Sequence, residues 1–189
     1  MEIKYQQWDL AYSLSQMMEQ HMSGNPGVKA GYRHIEYSGR NFNEAEVGKA
    51  VKDSGIPREE ILSQANLAQD YGYEAAKKGL ETSLEKLGLD YVDLYLLHQP
   101  YGDVAGAWKA WRKQGGRKIR TIGVSNMTPK IWKEFVPQFA TMPAVNQVEC
   151  NPFFQQKELR ALLAENDVKI EAYQRWDMGM RHFLAIRIL

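Results

Sequence analysis

The stretch that decides the fold is Asp90-Tyr91-Val92-Asp93-Leu94-Tyr95-Leu96-Leu97-His98-Gln99-Pro100. It is apolar and rich in β-forming residues until a histidine and a proline close it. A continuous run of this kind reads as a parallel strand buried on both faces. The proline ends the run, so His98 sits at the C-terminal tip. In an α/β barrel the C-terminal strand tips are where chemistry is placed.

Working outward, the same alternation recurs on both sides. Upstream, Tyr73 to Leu87 has helical spacing, with Leu80, Leu84 and Leu87 on one face and Gly88 as the stop. Ile61 to Leu67 reads as a strand, although Ser63, Gln64 and Asn66 are unusually polar for a buried one. Asn43-Glu44-Ala45-Glu46 is a helix start with Asn43 as cap and Glu46 reaching back. Val47, Ala50 and Val51 give that helix its inner face, and Gly55 and Pro57 end it. Tyr32 to Glu36 is a short strand, and Ile3 to Leu10 another, followed by a helix over Ala11 to Met22 that Gly24-Asn25-Pro26-Gly27 terminates.

Downstream, Val104 to Lys113 is a helix with Trp108 and Trp111 inward, broken by Gly115-Gly116. Strands follow at Ile119 to Asn126, Ala144 to Cys150 and Val168 to Gln174. Between them come a helix opened by Thr128-Pro129, with Ile131, Trp132 and Phe135 as its apolar stripe, and one over Gln156 to Glu165 with Leu159, Leu162 and Leu163 inward. Strands and helices alternate roughly every 25–30 residues, which implies βα units and a parallel sheet. The expected fold is α/β, a TIM-barrel-like (β/α)8 arrangement, incomplete, with about seven parallel strands in one domain spanning residues 1–189. Phe183 to Leu189 reads as either strand or helix. It lies too near Val168 to Gln174 to be that strand's parallel neighbour, because a parallel crossover needs about a dozen residues.

Composition narrows the function classes. The 189 residues are 44% apolar and 25% charged, ordinary for a globular chain with a real core. A net charge of +1 gives no reason to expect nucleic acid or an anionic membrane as partner. Cys150 is the single cysteine, so a disulfide framework and a cysteine metal site are both excluded, and a reducing cytoplasm is implied. No His/Cys/Asp/Glu spacing suggests a metal site, and no glycine loop for phosphates follows a strand. No apolar run is long enough to span a bilayer.

Six stretches, in one order and at one spacing, are similar to the aldo-keto reductase family. They are Ala30 to Ile35, Asn43 to Ala50, Gly55 to Glu60, Leu84 to His98, Ile122-Gly123-Val124-Ser125-Asn126, and Asn146-Gln147-Val148-Glu149-Cys150-Asn151-Pro152. The resemblance runs from Gly31 to about Ala172. It implies a (β/α)8 barrel, NADP(H) as hydride donor, and reduction of a small-molecule carbonyl substrate. That family's chemistry uses a tyrosine acid, a lysine that lowers its pKa, an aspartate paired with the lysine, and a histidine that orients the carbonyl. By position, His98 is the histidine and Glu36 stands for the aspartate. Asn41 stands where the tyrosine belongs and Asn66 where the lysine belongs. An amide has no proton to give near neutral pH. Without the lysine, a buried Glu36 should have a raised pKa. The resemblance also implies that Ser125, Asn126 and Gln147 hold the nicotinamide amide and that Tyr173 stacks on its ring.

The departures gather at strand tips, while the outer helices keep family-like residues. After Tyr173 the family's Ser-Pro-Leu is replaced by Gln174-Arg175-Trp176, and the basic loop for the adenosine phosphate has no counterpart. The clustering reads as replacement of an active site, as in an engineered or redesigned barrel, with a misread reductase sequence as the rival account. Three functions stay open: a reductase of weak or lost activity; a new site in which Glu36 is the general base on an aromatic substrate stacked on Trp8 or Trp176; and a non-catalytic scaffold that self-associates through open strand edges. Beside these stand plainer readings. His98 caps a strand tip, Glu36 is a tip carboxylate, His34 is a packed strand residue, and Trp8 and Trp176 are core.

Overall fold

The computed structural model describes residues 31–38, 44–67 and 71–174. In chain order they form β1 (His34–Ser38), α1 (Glu44–Asp53), a 3-10 turn (Arg58–Glu60), β2 (Leu62–Leu67), α2 (Tyr73–Leu87), β3 (Val92–Leu97) and α3 (Val104–Gln114). There follow β4 (Ile119–Ser125), α4 (Pro129–Phe135), a second 3-10 turn (Val136–Gln138), β5 (Val145–Glu149), α5 (Lys157–Glu165) and β6 (Lys169–Tyr173). The six strands make one sheet in sequential order, every neighbouring pair parallel. The strand expected at Tyr32 to Glu36 lies two residues later, at His34–Ser38. The expected strand Ile3 to Leu10, the helix after it, Asn43 as a cap and the tail Phe183 to Leu189 lie outside the described residues.

The sheet is curled. Gln64 on β2 donates to Glu171 on β6 at 2.9 Å, although three strands lie between them. In a flat sheet, four strand spacings would hold these residues roughly 19 Å apart. The array is therefore a TIM-barrel-like wall with a lumen on its inner side.

The two faces differ in kind. Outward-facing Ile35, Tyr37, Ala65, Leu67, Tyr95, Leu97, Val124 and Val148 join helix residues such as Leu80, Leu84, Trp108, Trp111 and Leu159 in the main core. The inner face has only a small apolar cluster of Leu62, Leu94, Leu96 and Val145. Its other positions are polar, which explains why β2 looked unfit for a buried strand. Gln64 and Asn66 line the lumen, and Ser63 faces outward to a carboxylate.

Helix ends follow local chemistry. Thr128 caps α4, its side chain accepting from the Ile131 N–H, with Pro129 at the first position. Gly88 closes α2 in the left-handed region at φ +59°, its N–H bonded to the Glu85 and Leu84 carbonyls. Gly48 on α1 presses against the end of α2; a Cβ there would lie 1.9 Å from the Leu87 carbonyl oxygen.

The N-terminal ends of the strands are locked by charge. Asp93, 3% exposed, pairs with Arg58 at 2.7 Å and Arg120 at 3.2 Å. It also accepts from the Ser63 N–H at 3.0 Å and hydroxyl at 3.1 Å. The two guanidinium groups lie 4.1 and 4.0 Å from the centre of the Tyr91 ring. Removing one partner of such a cluster strands buried charge. Asp93→Ala is expected to lower unfolding free energy by about 3–5 kcal/mol in urea titration. Lys49→Ala, which breaks an exposed pair with Asp53, should cost at most about 0.5 kcal/mol.

Candidate active site in the lumen

The sheet carries its polar inner residues in register. Glu36 faces Gln64 across β1 and β2, and Gln147 sits between Ser125 and Glu171 across β4, β5 and β6. This places two clusters in the upper lumen, toward the C-terminal ends of the strands.

The first cluster contains Glu36 and Asn66. The Asn66 Nδ2 donates to Glu36 Oε1 at 2.9 Å. The positions implied for a lysine and its aspartate are thus paired, but by a neutral amide. Burial is the main cause that pushes the Glu36 carboxyl above the ordinary range, and the negative charge of Glu171 adds to it. Hydrogen bonds from Gln147 and Asn66, and the nearby His34, oppose the shift without cancelling it. His34 is buried and bonded through Nε2 to Gln64 Oε1 at 2.5 Å.

The second cluster is built around Asn126. It follows β4 in the left-handed region at φ +60°, a conformation that asparagine tolerates better than most side chains. Its Nδ2 donates to the His98 carbonyl at 2.9 Å and to Ser125 Oγ at 3.2 Å. Its Oδ1 accepts from the Tyr173 hydroxyl at 2.7 Å. The Ser125 hydroxyl donates in turn to the Gln147 carbonyl at 2.9 Å. Burial, and then the charge of Glu149, raise the pKa of Tyr173. His98 is half-buried just beyond β3, and its N–H donates to the Leu67 carbonyl at 3.3 Å.

Gln147 joins the two clusters. Its Nε2 donates to Glu171 Oε1 at 2.8 Å, and its nearby amide favours the ionised form of Glu36. Ser125, Asn126 and Tyr173 are thus linked to one another and to the backbone carbonyls of His98 and Gln147, and Glu36 and Asn66 form a second pair beside them. Asn41, Trp8 and Trp176 lie outside the described residues. Among the described residues, no group of three or more His, Cys, Asp or Glu is placed to hold a metal, and no helix is long and apolar enough to cross a membrane.

Sequence reasoning missed two participants. Glu171 is the lumen acceptor for both glutamines, and its local sequence, Lys169-Ile170-Glu171-Ala172-Tyr173, carries no motif that would have singled it out. Asn146 braces the turn after β4. Its Nδ2 donates to the Met127 carbonyl at 2.8 Å, and its Oδ1 accepts from the Met127 N–H at 3.4 Å.

The arrangement is akin to known proteins. The model of the Aldo/keto reductase family matches residues 25–182. An aldo-keto reductase of Mycolicibacterium smegmatis is 38% identical over 159 residues, covering 80% of this chain and 57% of that protein. The crystal structure of an aldo/keto reductase from Brucella melitensis superposes with a TM-score of 0.75 at 38% identity, covering 82% of this chain and 64% of that one. A Bombyx mori aldo-keto reductase in complex with NADP superposes with a TM-score of 0.75 at 29% identity, covering 86% and 57%. The chain spans 55–57% of the length of the first three curated relatives it matches.

The raised pKa of Glu36 has a consequence for stability. The folded state keeps the Glu36 proton at a pH where the unfolded chain has released it, so this group makes stability fall as pH rises from the ordinary glutamate range through the folded value. Glu36→Gln removes that slope. The variant is expected to melt at a higher temperature than wild type at pH 7, with the difference shrinking toward pH 4, in thermal unfolding followed by circular dichroism.

Proposed function

The chain belongs to the aldo/keto reductase family, and on that premise we propose that it is a nicotinamide-dependent carbonyl reductase whose proton delivery is impaired. The observation that carries the reading is the Glu36–Asn66 bond of 2.9 Å. It puts an uncharged amide where a lysine ammonium would lower the pKa of a neighbouring acid.

The residues present fit a nicotinamide head group. Ser125, Asn126 and Gln147 present hydroxyl and amide groups side by side, and the half-buried ring of Tyr173 is tied to Asn126. When bound, the dinucleotide supplies a hydride to the carbonyl carbon. His98, at the tip of β3, would orient the carbonyl oxygen. The oxygen then needs a proton, and Asn41 and Asn66 cannot donate one near neutral pH. The substrate class is a small aldehyde or ketone, and the setting that best fits the single free cysteine is the cytoplasm.

A second reading is favoured by the setting of Glu36, which accepts from Asn66 at 2.9 Å inside the lumen and is held above its ordinary range chiefly by burial. A carboxylate held above its ordinary range is a better base once ionised. In this reading Glu36 abstracts a proton from a flat, activated aromatic substrate, and the amides of Gln64 and Gln147 steady the charge that develops.

Two experiments separate the readings. NADPH titrated into the protein should change its fluorescence, with turnover of a simple aldehyde low. The double variant Asn41→Tyr/Asn66→Lys should raise kcat by ~100- to 10,000-fold, the usual contribution of a positioned acid. Wild-type turnover equal to that of the double variant would refute the impairment. For the second reading, elimination from an activated aromatic substrate should rise with pH as Glu36 ionises and vanish in Glu36→Gln; an unchanged profile ends it.

A further inference from the structure

The backbone around His98 is held from neighbouring strands on both sides. The His98 N–H donates to the Leu67 carbonyl, at the end of β2, at 3.3 Å. The His98 carbonyl accepts from Asn126 Nδ2, just past β4, at 2.9 Å. The next N–H, that of Gln99, donates to the Tyr71 hydroxyl at 2.8 Å. The His98 carbonyl and the Gln99 N–H belong to one planar peptide unit. That unit is therefore gripped at both of its polar ends, by Asn126 from the β4 side and by Tyr71 from the β2 side.

Tyr71 is itself anchored. Its hydroxyl accepts from Gln99 and donates its own proton to the Leu67 carbonyl at 3.2 Å, the same oxygen that receives the His98 N–H. Its ring packs edge-on against Tyr101, 5.1 Å between centres. The backbone of the facing loop also comes close. A Cβ at Gly102, where φ is +71°, would lie 3.3 Å from the Tyr71 Cβ. The segments that follow β2 and β3 are thus locked together just before α2 and α3 begin.

We propose that Tyr71 is a positioning residue for His98: its hydroxyl fixes the peptide unit that follows His98 and so sets the direction of the imidazole at the tip of β3. The inference rests on the reductase reading above, in which His98 orients the substrate carbonyl, and adds to it the residue that holds the histidine in place. Without the hydroxyl, the peptide unit keeps only its Asn126 end. The backbone at His98 can then turn, and the imidazole turns with it. A shift of about 1 Å in a positioned group costs roughly 100-fold in rate.

Tyr71→Phe removes the hydroxyl and keeps the ring and its contact with Tyr101. With NADPH bound, its kcat for a simple aldehyde is expected to fall about 10- to 100-fold below wild type, while NADPH affinity, read by fluorescence, is unchanged. In a His98→Ala background the same substitution should do nothing further, because it acts through the imidazole. An equal loss in both backgrounds marks a merely structural role and overturns the proposal. A second readout needs no turnover. The His98 imidazole resonance, assigned by its absence from His98→Ala, should move in the NMR spectrum of Tyr71→Phe, while that of His34, bonded to Gln64 in the lumen, stays in place. An unmoved His98 resonance overturns the proposal. Absence of aldehyde turnover by wild type overturns the reductase reading instead, and the His98 resonance then decides by itself whether Tyr71 places the imidazole.

Discussion

One carboxylate oxygen holds the walls of the lumen together. Glu171 Oε1 accepts Gln64 from β2 and Gln147 from β5, and so ties the last described strand to the second across the inside of the sheet. Burial makes the interaction consequential. Gln64 and Gln147 are buried, and a buried amide without a partner costs a substantial part of a hydrogen bond's worth. The curl supplies those partners, and the lumen in turn favours the curl. The small apolar cluster of Leu62, Leu94, Leu96 and Val145 is too slight to be the main reason for the curvature. The packing of helices against the outer face and the polar bonds inside share that task.

From this follows the division of labour along each strand. Outward residues are apolar and meet helices, as with Tyr95, whose ring packs edge-on against Trp111 at 4.5 Å between centres. Inward residues are polar and meet one another. The side chains nearest the C-terminal tips, Ser125, Asn126 and Tyr173, form the part of the network closest to the mouth. Their geometry is settled in advance by Asn146, which holds the turn from below, and by Gln147, whose backbone carbonyl receives the Asn126 N–H at 2.8 Å.

The fold was legible where buried positions are also mostly apolar. β3 declared itself because all six of its residues are buried, and α2 because its three leucines keep helical spacing up to Gly88. β2 was placed correctly but looked anomalous, since sequence alone does not say that a barrel strand faces two different solvents. β1 was misplaced by two residues because Tyr32 and Arg33 have strand-like character yet lie before the paired segment. Of the site, the positions came from the resemblance, while the pairing of Glu36 with Asn66 and the bonds that gather Ser125, Asn126 and Tyr173 required coordinates. Glu171 could not be found by motif. Its importance arises from a contact across 107 positions of chain, and no local pattern encodes such a contact.

The two ends of the strands are held by unlike means. Below, Tyr91 lies between two arginines that share Asp93, an ionic knot in which each member depends on the others. Above, the lumen is joined by single amide-to-carboxylate bonds, Asn66 to Glu36 and Gln64 and Gln147 to Glu171, in which losing one amide leaves no paired ion stranded. Mutational tolerance should therefore be graded along the barrel axis, with a change in the ionic knot below costing more than a single amide replacement above.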